Sequence, residues 1–465
     1  MRVIVCGAGQ VGYGIAERLA AEENDVSVID TSARDIEIVR DTLDVRGFIG
    51  HGSQPDVLAA AGADEADMII AVTLSDEVNM VACQVAHSVF NVPTKIARIR
   101  AQSYLKAEYQ DLFLRENLPI DVIISPEIEV GEVVLRRIAL QGATDVLRFA
   151  DDKIIGLAIE CLDECPVINT PLRQLTELFP DLTATVVGVV RNDSLFIPRS
   201  SDELNAGDLA YVVTTREQVR RTLGLFGHEK PEANRIVIAG GGNIGLYVAK
   251  AIEEREWHTR VKMIESEHER AFAIADQLKR TMVLHGSALD QNLLQEADVQ
   301  DADLMVTLTN QDQVNILSSI MAKRLGCKTN MALLNTVAYQ DFTHMVGIDA
   351  YINPKAVTIS KILQHVRRGR ISAVYSIYRD RAELIEAEAL ETSSLVGAPL
   401  RDLDLPEGLR IGAIYRDGEM IRPNGDVRIK PRDRVVIFAT ADAVNMWSRC
   451  SASVLSSSEH DFVLA

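Results

Sequence analysis

The 465-residue chain is poor in aromatic side chains, at 5%, and holds only 6 cysteines and 2 tryptophans. Few aromatics beside 47% hydrophobic residues suit aliphatic parallel sheets covered by helices. The cysteines are scattered, and only Cys161 and Cys165, in CLDEC, stand close together. With no second pair and no histidine partner they make no zinc motif, and a reduced compartment is expected. No apolar run approaches the ~18–20 residues that cross a bilayer. The longest, such as DMIIAVTL (67–74), have the length of a strand. Positive charge is also short: 48 Lys and Arg face 67 Asp and Glu, for a net charge of −19. Nucleic acid and anionic membrane surfaces would repel such a chain overall. The basic spots HVRRGR (365–370) and VVLRRIAL (133–140) read as solvated helix faces, so any membrane link is expected through a protein partner. The chain enters a strand at its first residues, and no signal peptide is expected.

A chain of this length implies two to four domains, and an internal repeat organises them. VIVCGAGQVGYGIAERLA (3–20) returns as IVIAGGGNIGLYVAKAIE (236–253). VIDTS (28–32) answers MIESE (263–267), and GHGSQPDVL (50–58) answers LHGSALDQNL (284–293). VTLSDEVN (72–79) matches LTNQDQVN (308–315), and IDVIISP (120–126) matches IDAYINP (348–354). Same order and similar spacing make this a tandem duplication. Within each copy, strand-like runs (RVIVCG, DVSVID, VRGFIG, DMIIAVT, KIARIR) alternate with helical stretches, which implies βαβ crossovers. The predicted fold is α/β: two Rossmann-like doubly wound parallel sheets, each followed by a small α+β lobe of short hairpins. The expected boundaries are 1–126 for the first Rossmann domain and 127–226 for a crossover helix with the first small lobe. A linker at 227–233 follows, then 234–354 for the second Rossmann domain, 355–450 for its crossover helix and lobe, and 451–465 as tail.

Gly7-Ala8-Gly9-Gln10-Val11-Gly12 fits G-x-G-x-x-G between a strand and a helix. The first glycine permits the tight turn, the second lets a pyrophosphate approach the backbone, and the third lets helix pack on strand. Free N–H groups at the helix start face the phosphate charge. Asp30 ends the next strand, where a carboxylate accepts ribose hydroxyls and repels a 2′-phosphate, favouring NAD or an adenosine nucleotide. Gly240, Gly241, Gly242, Asn243, Ile244, Gly245 and Glu265 repeat the arrangement. The alternative is a pair of degenerate folds that keep their glycines for packing. Arg98 and Arg100, in KIARIR (95–100), are expected on one face of a strand, able to neutralise phosphates or to form surface ion pairs. TNMALLN (329–335) has no arginine there, so the first site is expected to tolerate the more highly charged ligand. Thr73, Asp76 and Asn79, with Thr309, Asp312 and Asn315, sit where strand turns to helix, and both helix capping and ligand contact explain them. His51 and His285 precede Gly-Ser in matching turns, either as base or ribose contacts or as surface histidines.

The doubled order GAGQVG…VID…HGS…VTLSDEVN…ARIR, with a small lobe after each copy, closely resembles the RCK/KTN regulators of potassium transport. The match spans essentially residues 1–450, in the two-copy form of bacterial Trk uptake systems. The resemblance implies RCK N-lobes and C-lobes, a homotetrameric ring in the cytoplasm and no enzymatic activity. It places the ring at the inner face of the membrane beneath a TrkH-type integral membrane potassium channel subunit. It also implies that NAD(H), and ATP or ADP, bind the Rossmann units and alter the ring. Carried over, the first site is Gly7 to Gly12, Asp30, Gly52, Ser53, Thr73, Leu74 and Arg98, with Arg100 beside it. The second is Gly240 to Gly245, Glu265, His285, Gly286, Thr309 and Asn310. Some relatives carry arginine inside the glycine loop, where this chain has Gln10 and Asn243, so a triphosphate preference would fall to Arg98 and Arg100. The competing reading is an NAD-dependent oxidoreductase, which requires a proton donor or acceptor facing the nicotinamide. The small lobes offer no convergent Lys, His or Tyr set. A scaffold with unused pockets is the third reading.

Overall fold

The computed structural model describes residues 1–228, 233–255, 258–340, 342–343, 345–366, 371–378, 381–393 and 395–444. The middle of the expected linker (229–232), the basic end of HVRRGR (367–370) and the tail at 451–465 lie outside the described residues. The chain divides into two compact units, Met1–Val130 with Pro354–Val366, and Gly131–Asn353 with Arg367–Ala465.

In the first unit, Val- and Ile-rich runs form the strands β1 (Arg2–Cys6), β2 (Asp25–Asp30), β3 (Arg46–Ile49), β4 (Met68–Ala71), β5 (Thr94–Arg98) and β6 (Val122–Ile124). Between them lie α1 (Gln10–Ala21), α2 (Ala33–Thr42), α3 (Pro55–Ala60) and α4 (Asp76–Ser88). The strands are parallel in the order β3-β2-β1-β4-β5-β6. The order reverses between β1 and β4, and such a switch point opens a crevice at the carboxyl ends of those two strands. One face is covered in part by a helix from the far end of the chain. Pro354–Val366 packs against α1, and its Ile362, Leu363 and Val366 share a buried core with Val3, Ile15 and Leu19. Gly14 makes this possible, since a Cβ there would overlap the Ile359 side chain.

α5 (Pro126–Ala139) runs from the first unit into the second. The first small lobe follows with β7 (Ala143–Phe149), β8 (Ile154–Glu160), α6 (Leu172–Leu178), β9 (Ala184–Arg191), β10 (Ser194–Phe196), β11 (Leu209–Thr215) and α7 (Val219–Leu225). Its antiparallel sheet has the order β10-β9-β11-β8-β7. Cys161 and Cys165 are both buried in its core.

The second Rossmann sheet comprises β12 (Arg235–Ala239), β13 (Arg260–Glu265), β14 (Met282–His285), β15 (Leu304–Thr307), β16 (Thr329–Leu333) and β17 (Ala350–Ile352). Its helices are α8 (Asn243–Glu254), α9 (His268–Ala275), α10 (Gln291–Glu296), α11 (Asp312–Leu325) and α12 (Val337–Gln340). The order β14-β13-β12-β15-β16-β17 repeats the first sheet position for position. Here the body of α5 lies against α8. The Tyr247 ring occupies the space a Cβ on Gly131 would need, and its hydroxyl donates to Glu132 Oε1 at 2.9 Å. After α13 (Pro354–Val366) come β18 (Ile371–Ile377), β19 (Ala382–Glu388), β20 (Leu409–Arg416), β21 (Glu419–Ile421) and β22 (Arg434–Thr440), ordered β18-β19-β22-β20-β21.

The two antiparallel sheets share one core, built from Phe149, Ile154, Val187 and Val213 on one side and Leu384, Ala413, Val436 and Phe438 on the other. Phe438 lies over Gly188, where a side chain would collide with its ring. Arg434 joins the lobes through Glu386 and Asp151, and Glu386 Oε2 accepts from the Ala150 N–H at 3.0 Å.

Candidate functional site

Each glycine turn lies at its sheet's switch point. Gly7 and Gly240 adopt φ of +111° and +108°, a left-handed conformation that strains any residue with a Cβ. Their N–H groups donate to Ile29 and Ile264 carbonyls at 2.8 Å, so each turn leaves its strand without a gap in the ladder. Gly12 and Gly245 pack the helix onto the strand: a Cβ on either would overlap the carbonyl oxygen of Gly7 or Gly240. Gly9 and Gly242 differ in kind. Both are exposed, and an added Cβ would meet no protein atom within 4 Å. Packing therefore demands the first and last motif glycines of each hexad, and in the second copy Gly241 as well, where a Cβ would collide with Ile274, while Gly9 and Gly242 guard open space beside the helix N-terminus. Gln10, Val11, Asn243 and Ile244 supply the first helical residues behind that space.

Asp30 and Glu265 reach back to the loops. Asp30 Oδ2 accepts from the Ala8 N–H at 2.6 Å and Oδ1 from Ser32 N–H at 2.8 Å. Glu265 Oε2 accepts from Gly241 N–H at 2.7 Å, and Oε1 from Glu267 N–H at 2.9 Å. Each acid thus braces its glycine loop, and both remain half-buried, with carboxylate lone pairs left for a ligand hydroxyl. The neighbouring turns differ. Gly52 is buried against Cys6, while Ser53 hydrogen-bonds His51 Nδ1 at 3.0 Å. Gly286 has φ of +149°, and exposed His285 stacks edge-on against His268 with ring centroids 5.0 Å apart. Burial pushes the Cys6 thiol, beneath the first turn, up to about 12.

Thr73 and Thr309 face the glycine turns across the crevice; a Cβ on Gly7 would lie 3.0 Å from Thr73 N. Leu74 and Asn310 follow them at the surface. Capping does not account for Asp76 and Asn79, because Ser75 caps α4 through its hydroxyl. Asn79 is instead a strap. Its Oδ1 accepts from Thr73 N–H and hydroxyl at 2.9 and 2.7 Å, and its Nδ2 donates to the Thr73 and Arg98 carbonyls. Asp76 takes the N–H groups of Arg100 and Ala101 at 2.8–3.0 Å. Asn315 and Asp312 do the same in the second copy, tying Thr309 to Leu333 and holding the N–H groups of Asn335 and Thr336. These side chains fix the crevice wall to the next strand.

The arginines separate. β5 ends at Arg98, so Arg100 lies beyond the strand, and its Nε pairs with Glu127 Oε1 at 3.1 Å. Arg98 has its Nε shut away from solvent with no hydrogen-bond partner. Desolvation, and then the nearby Arg100 charge, lower its pKa. The second copy has no arginine on the matching strand, as TNMALLN shows, but positive charge reaches its glycine turn from a helix. Arg270 on α9 donates through Nε to the Gly241 carbonyl at 2.8 Å and approaches Asn243 Oδ1 at 3.5 Å. Its position in a helix with no motif left no signal in the sequence. Among the described residues no group of three His, Cys, Asp or Glu side chains could hold a metal ion, and no helix is long and apolar enough to cross a membrane.

Comparison with known proteins gives the family. The TrkA-N domain family matches residues 3–126 and 236–354, and the TrkA-C domain family matches 158–227 and 384–449. A Trk system potassium uptake protein TrkA of Azorhizobium caulinodans is 58% identical over 444 residues, covering 96% of this chain and 97% of that one. Its counterpart in Halomonas elongata is 41% identical, covering 94% and 95%. Among solved structures, the GsuK RCK domain aligns with a TM-score of 0.59 at 17% identity, over 97% of this chain and 95% of that one. A GsuK channel bound to NAD aligns with a TM-score of 0.59 at 16% identity, over 97% and 79%. The chain therefore belongs to the TrkA family of Trk-system potassium uptake proteins, with two TrkA-N and two TrkA-C domains.

Proposed function

We propose that this chain is a nucleotide-binding regulatory subunit that gates a potassium channel or transporter through ligand-dependent rearrangement of a ring. One observation carries the reading: at both switch points a helix N-terminus faces space that the middle glycine keeps open, braced by an acid at the end of the next strand. The two pockets comprise the residues named above, in functional segments 1–126 and 234–354, with the small lobes at 127–226 and 355–450 as the assembly and transmission parts. NAD(H) suits both pockets, since Asp30 and Glu265 can each accept ribose hydroxyls. ATP or ADP suits the first, where Arg98 has hydrogen-bonding capacity to spare. The partner is an integral membrane subunit of TrkH type, the assembly a homotetrameric ring, and the location the inner face of the membrane.

A nucleotide drives such a device only by binding one ring geometry better than another. A preference of about 1–3 kcal/mol per site is typical, and several coupled sites sharpen the response. Vesicles carrying the membrane partner with the ring should show potassium flux that changes with NADH or ATP. Flux that stays constant while nucleotide saturates the ring would overturn the gating reading.

A further inference from the structure

The basic spot VVLRRIAL (133–140) is not the solvated helix face that its sequence suggests. On α5, Arg136 and Arg137 both have Nε shut away from solvent without a hydrogen-bond partner. Arg137 still spends its terminal nitrogens, on the Tyr351 carbonyl and on Asp145 Oδ1 at 3.3 Å. The Arg136 guanidinium has neither ion pair nor hydrogen bond among the described residues. Glu132, one turn earlier on the helix, is placed to answer it. That acid is already taken: its Oε1 accepts from the Tyr247 hydroxyl at 2.9 Å and from Arg255 at 2.7 Å.

Two more guanidiniums stand close by. Arg148 lies near the end of β7, where the Tyr375 hydroxyl donates to its carbonyl at 3.1 Å. Arg216 opens the turn after β11, and its N–H donates to the Lys153 carbonyl at 3.0 Å, which sets it beside the β7–β8 hairpin. Both arginines turn to one oxygen: Asp152 Oδ2 lies 3.0 Å from Arg148 and 3.9 Å from Arg216. The other acid of the hairpin, Asp151, is claimed by Arg434. Burial lowers the Arg148 pKa, Asp152 offsets only part of this, and the charges of Arg136 and Arg216 lower it further. Three guanidiniums therefore share one carboxylate, an excess of two positive charges in a chain whose net charge is −19.

The internal repeat supplies a second, independent observation. Counted from Pro126 and Pro354, Arg136 corresponds to Gln364, and along the matching strands Arg148 corresponds to Ser376. Arg216 corresponds to Ala441, whose N–H meets the Arg381 carbonyl at 3.0 Å as that of Arg216 meets Lys153. The second copy is neutral at all three places. A helix, a strand end and a turn far apart in sequence differ together, which solubilising surface charge does not require and a shared ligand does.

We propose that Arg136, Arg148 and Arg216 form a binding site for a phosphate dianion, either inorganic phosphate or the phosphate of a small phosphomonoester, separate from both glycine turns. Such a group carries about −1.5 to −2 charges at neutral pH and three strong acceptor oxygens, which matches the excess at the cluster. Guanidiniums take phosphate oxygens in paired, charge-assisted bonds. A phosphodiester brings a single charge and fits less well. When filled, the site ties α5 to the β7–β8 hairpin of the first small lobe, and it does so whether or not the glycine turns hold nucleotide.

The test is calorimetric titration of the full chain, at constant ionic strength, with inorganic phosphate and separately with glycerol phosphate. At least one should bind saturably; the tighter of the two tells whether the free ion or a phosphorylated small molecule is the ligand. Arg136→Gln, and Arg216→Gln at a side chain that is 66% exposed and so safe for folding, should each weaken that binding about tenfold. Asp152→Asn removes the competing carboxylate at a left-handed position, φ +69°, that asparagine accepts, and should tighten binding about threefold or more. Gly9→Ala combined with Gly242→Ala should leave the arginine-dependent binding unchanged, and dimethyl phosphate should bind about tenfold more weakly than the monoester. Uptake of neither ligand, or equal uptake by both arginine variants, would overturn the proposal. So would weaker binding in Asp152→Asn, which would make the acid part of the site. Loss of binding in the double glycine variant would return the phosphate to the glycine turns, and dimethyl phosphate bound as tightly as the monoester would refute the match of charge.

Discussion

Two alanine substitutions three residues apart should separate folding from binding in the first glycine turn. A Cβ on Gly12 would stand 2.9 Å from the Gly7 carbonyl carbon and overlap its oxygen, whereas non-bonded carbons prefer about 3.5–4.0 Å. Both contacts are backbone, so α1 must lift off β1 by an ångström or more. Overpacking of this kind costs about 1–3 kcal/mol, and it falls at the heart of the core that Val5, Ile15 and Leu19 share. Gly12→Ala should therefore lower the melting temperature of the first lobe by roughly 5–10 °C. Gly9 has φ −64° and ψ −179°, open to any residue, and a Cβ there meets nothing. Gly9→Ala should melt within about 2 °C of the parent, since its stability change is expected to stay under ~1 kcal/mol. The methyl would occupy the space in which a pyrophosphate approaches the loop, weakening NADH binding at that pocket by about 10–100-fold. Differential scanning calorimetry and nucleotide titration on both variants give the answer. A Gly9→Ala chain that binds NADH as the parent does would refute the placement of the pyrophosphate, and a Gly12→Ala chain of full stability would refute the packing role.

Arg270→Ala should weaken NADH binding at the second turn about tenfold, as read with Gly9→Ala in the background, and leave the first turn unchanged, as read with Gly242→Ala; equal binding at the second turn would mean that Arg270 only braces Gly241. Asn79→Ala, which frees four hydrogen-bonded groups, should cost roughly 2–4 kcal/mol and speed amide exchange at Thr73; no change in exchange would exclude the strap. Burial raises the Asp312 carboxyl, but the N–H groups of Asn335 and Thr336 outweigh it and hold the pKa below the ordinary value. Its contribution is thus complete above the unfolded pKa of about 4 and drains away as pH falls through the lower folded value. The stability gap between the parent and Asp312→Asn should therefore shrink on acidification, and urea midpoints that stay equally far apart down to the folded pKa and below would contradict it. Phe438→Ala should cost about 3–5 kcal/mol in the paired small lobes.

Much of the fold was legible because its signals are local. Aliphatic runs of strand length, glycine hexads and acids at the next strand end all fall within one βαβ unit, and the duplication doubled every signal. What stayed hidden is long-range. Nothing in the residues around Ile359 announces that Pro354–Val366 covers α1 of the other half, and Gly14, which admits it, reads as an ordinary helical glycine. Asn79 looks like a helix-start residue, yet its partners include the Arg98 carbonyl at the end of the next strand. Strand alternation put Arg98 and Arg100 on one face. The strand ends between them, and the second is claimed by Glu127. Arg270 leaves no sign at the strand ends, where the two copies correspond, because its charge arrives from a helix.

The central claim is that both glycine turns are working nucleotide pockets. It is tested most directly by calorimetric titration of the nucleotide-free full chain with NADH, fitting the number of ligands per chain. The account predicts two, falling to one in either Gly9→Ala or Gly242→Ala. A chain that takes up no NADH at all, while folded and assembled, would contradict it and leave two duplicated folds whose glycines serve packing alone.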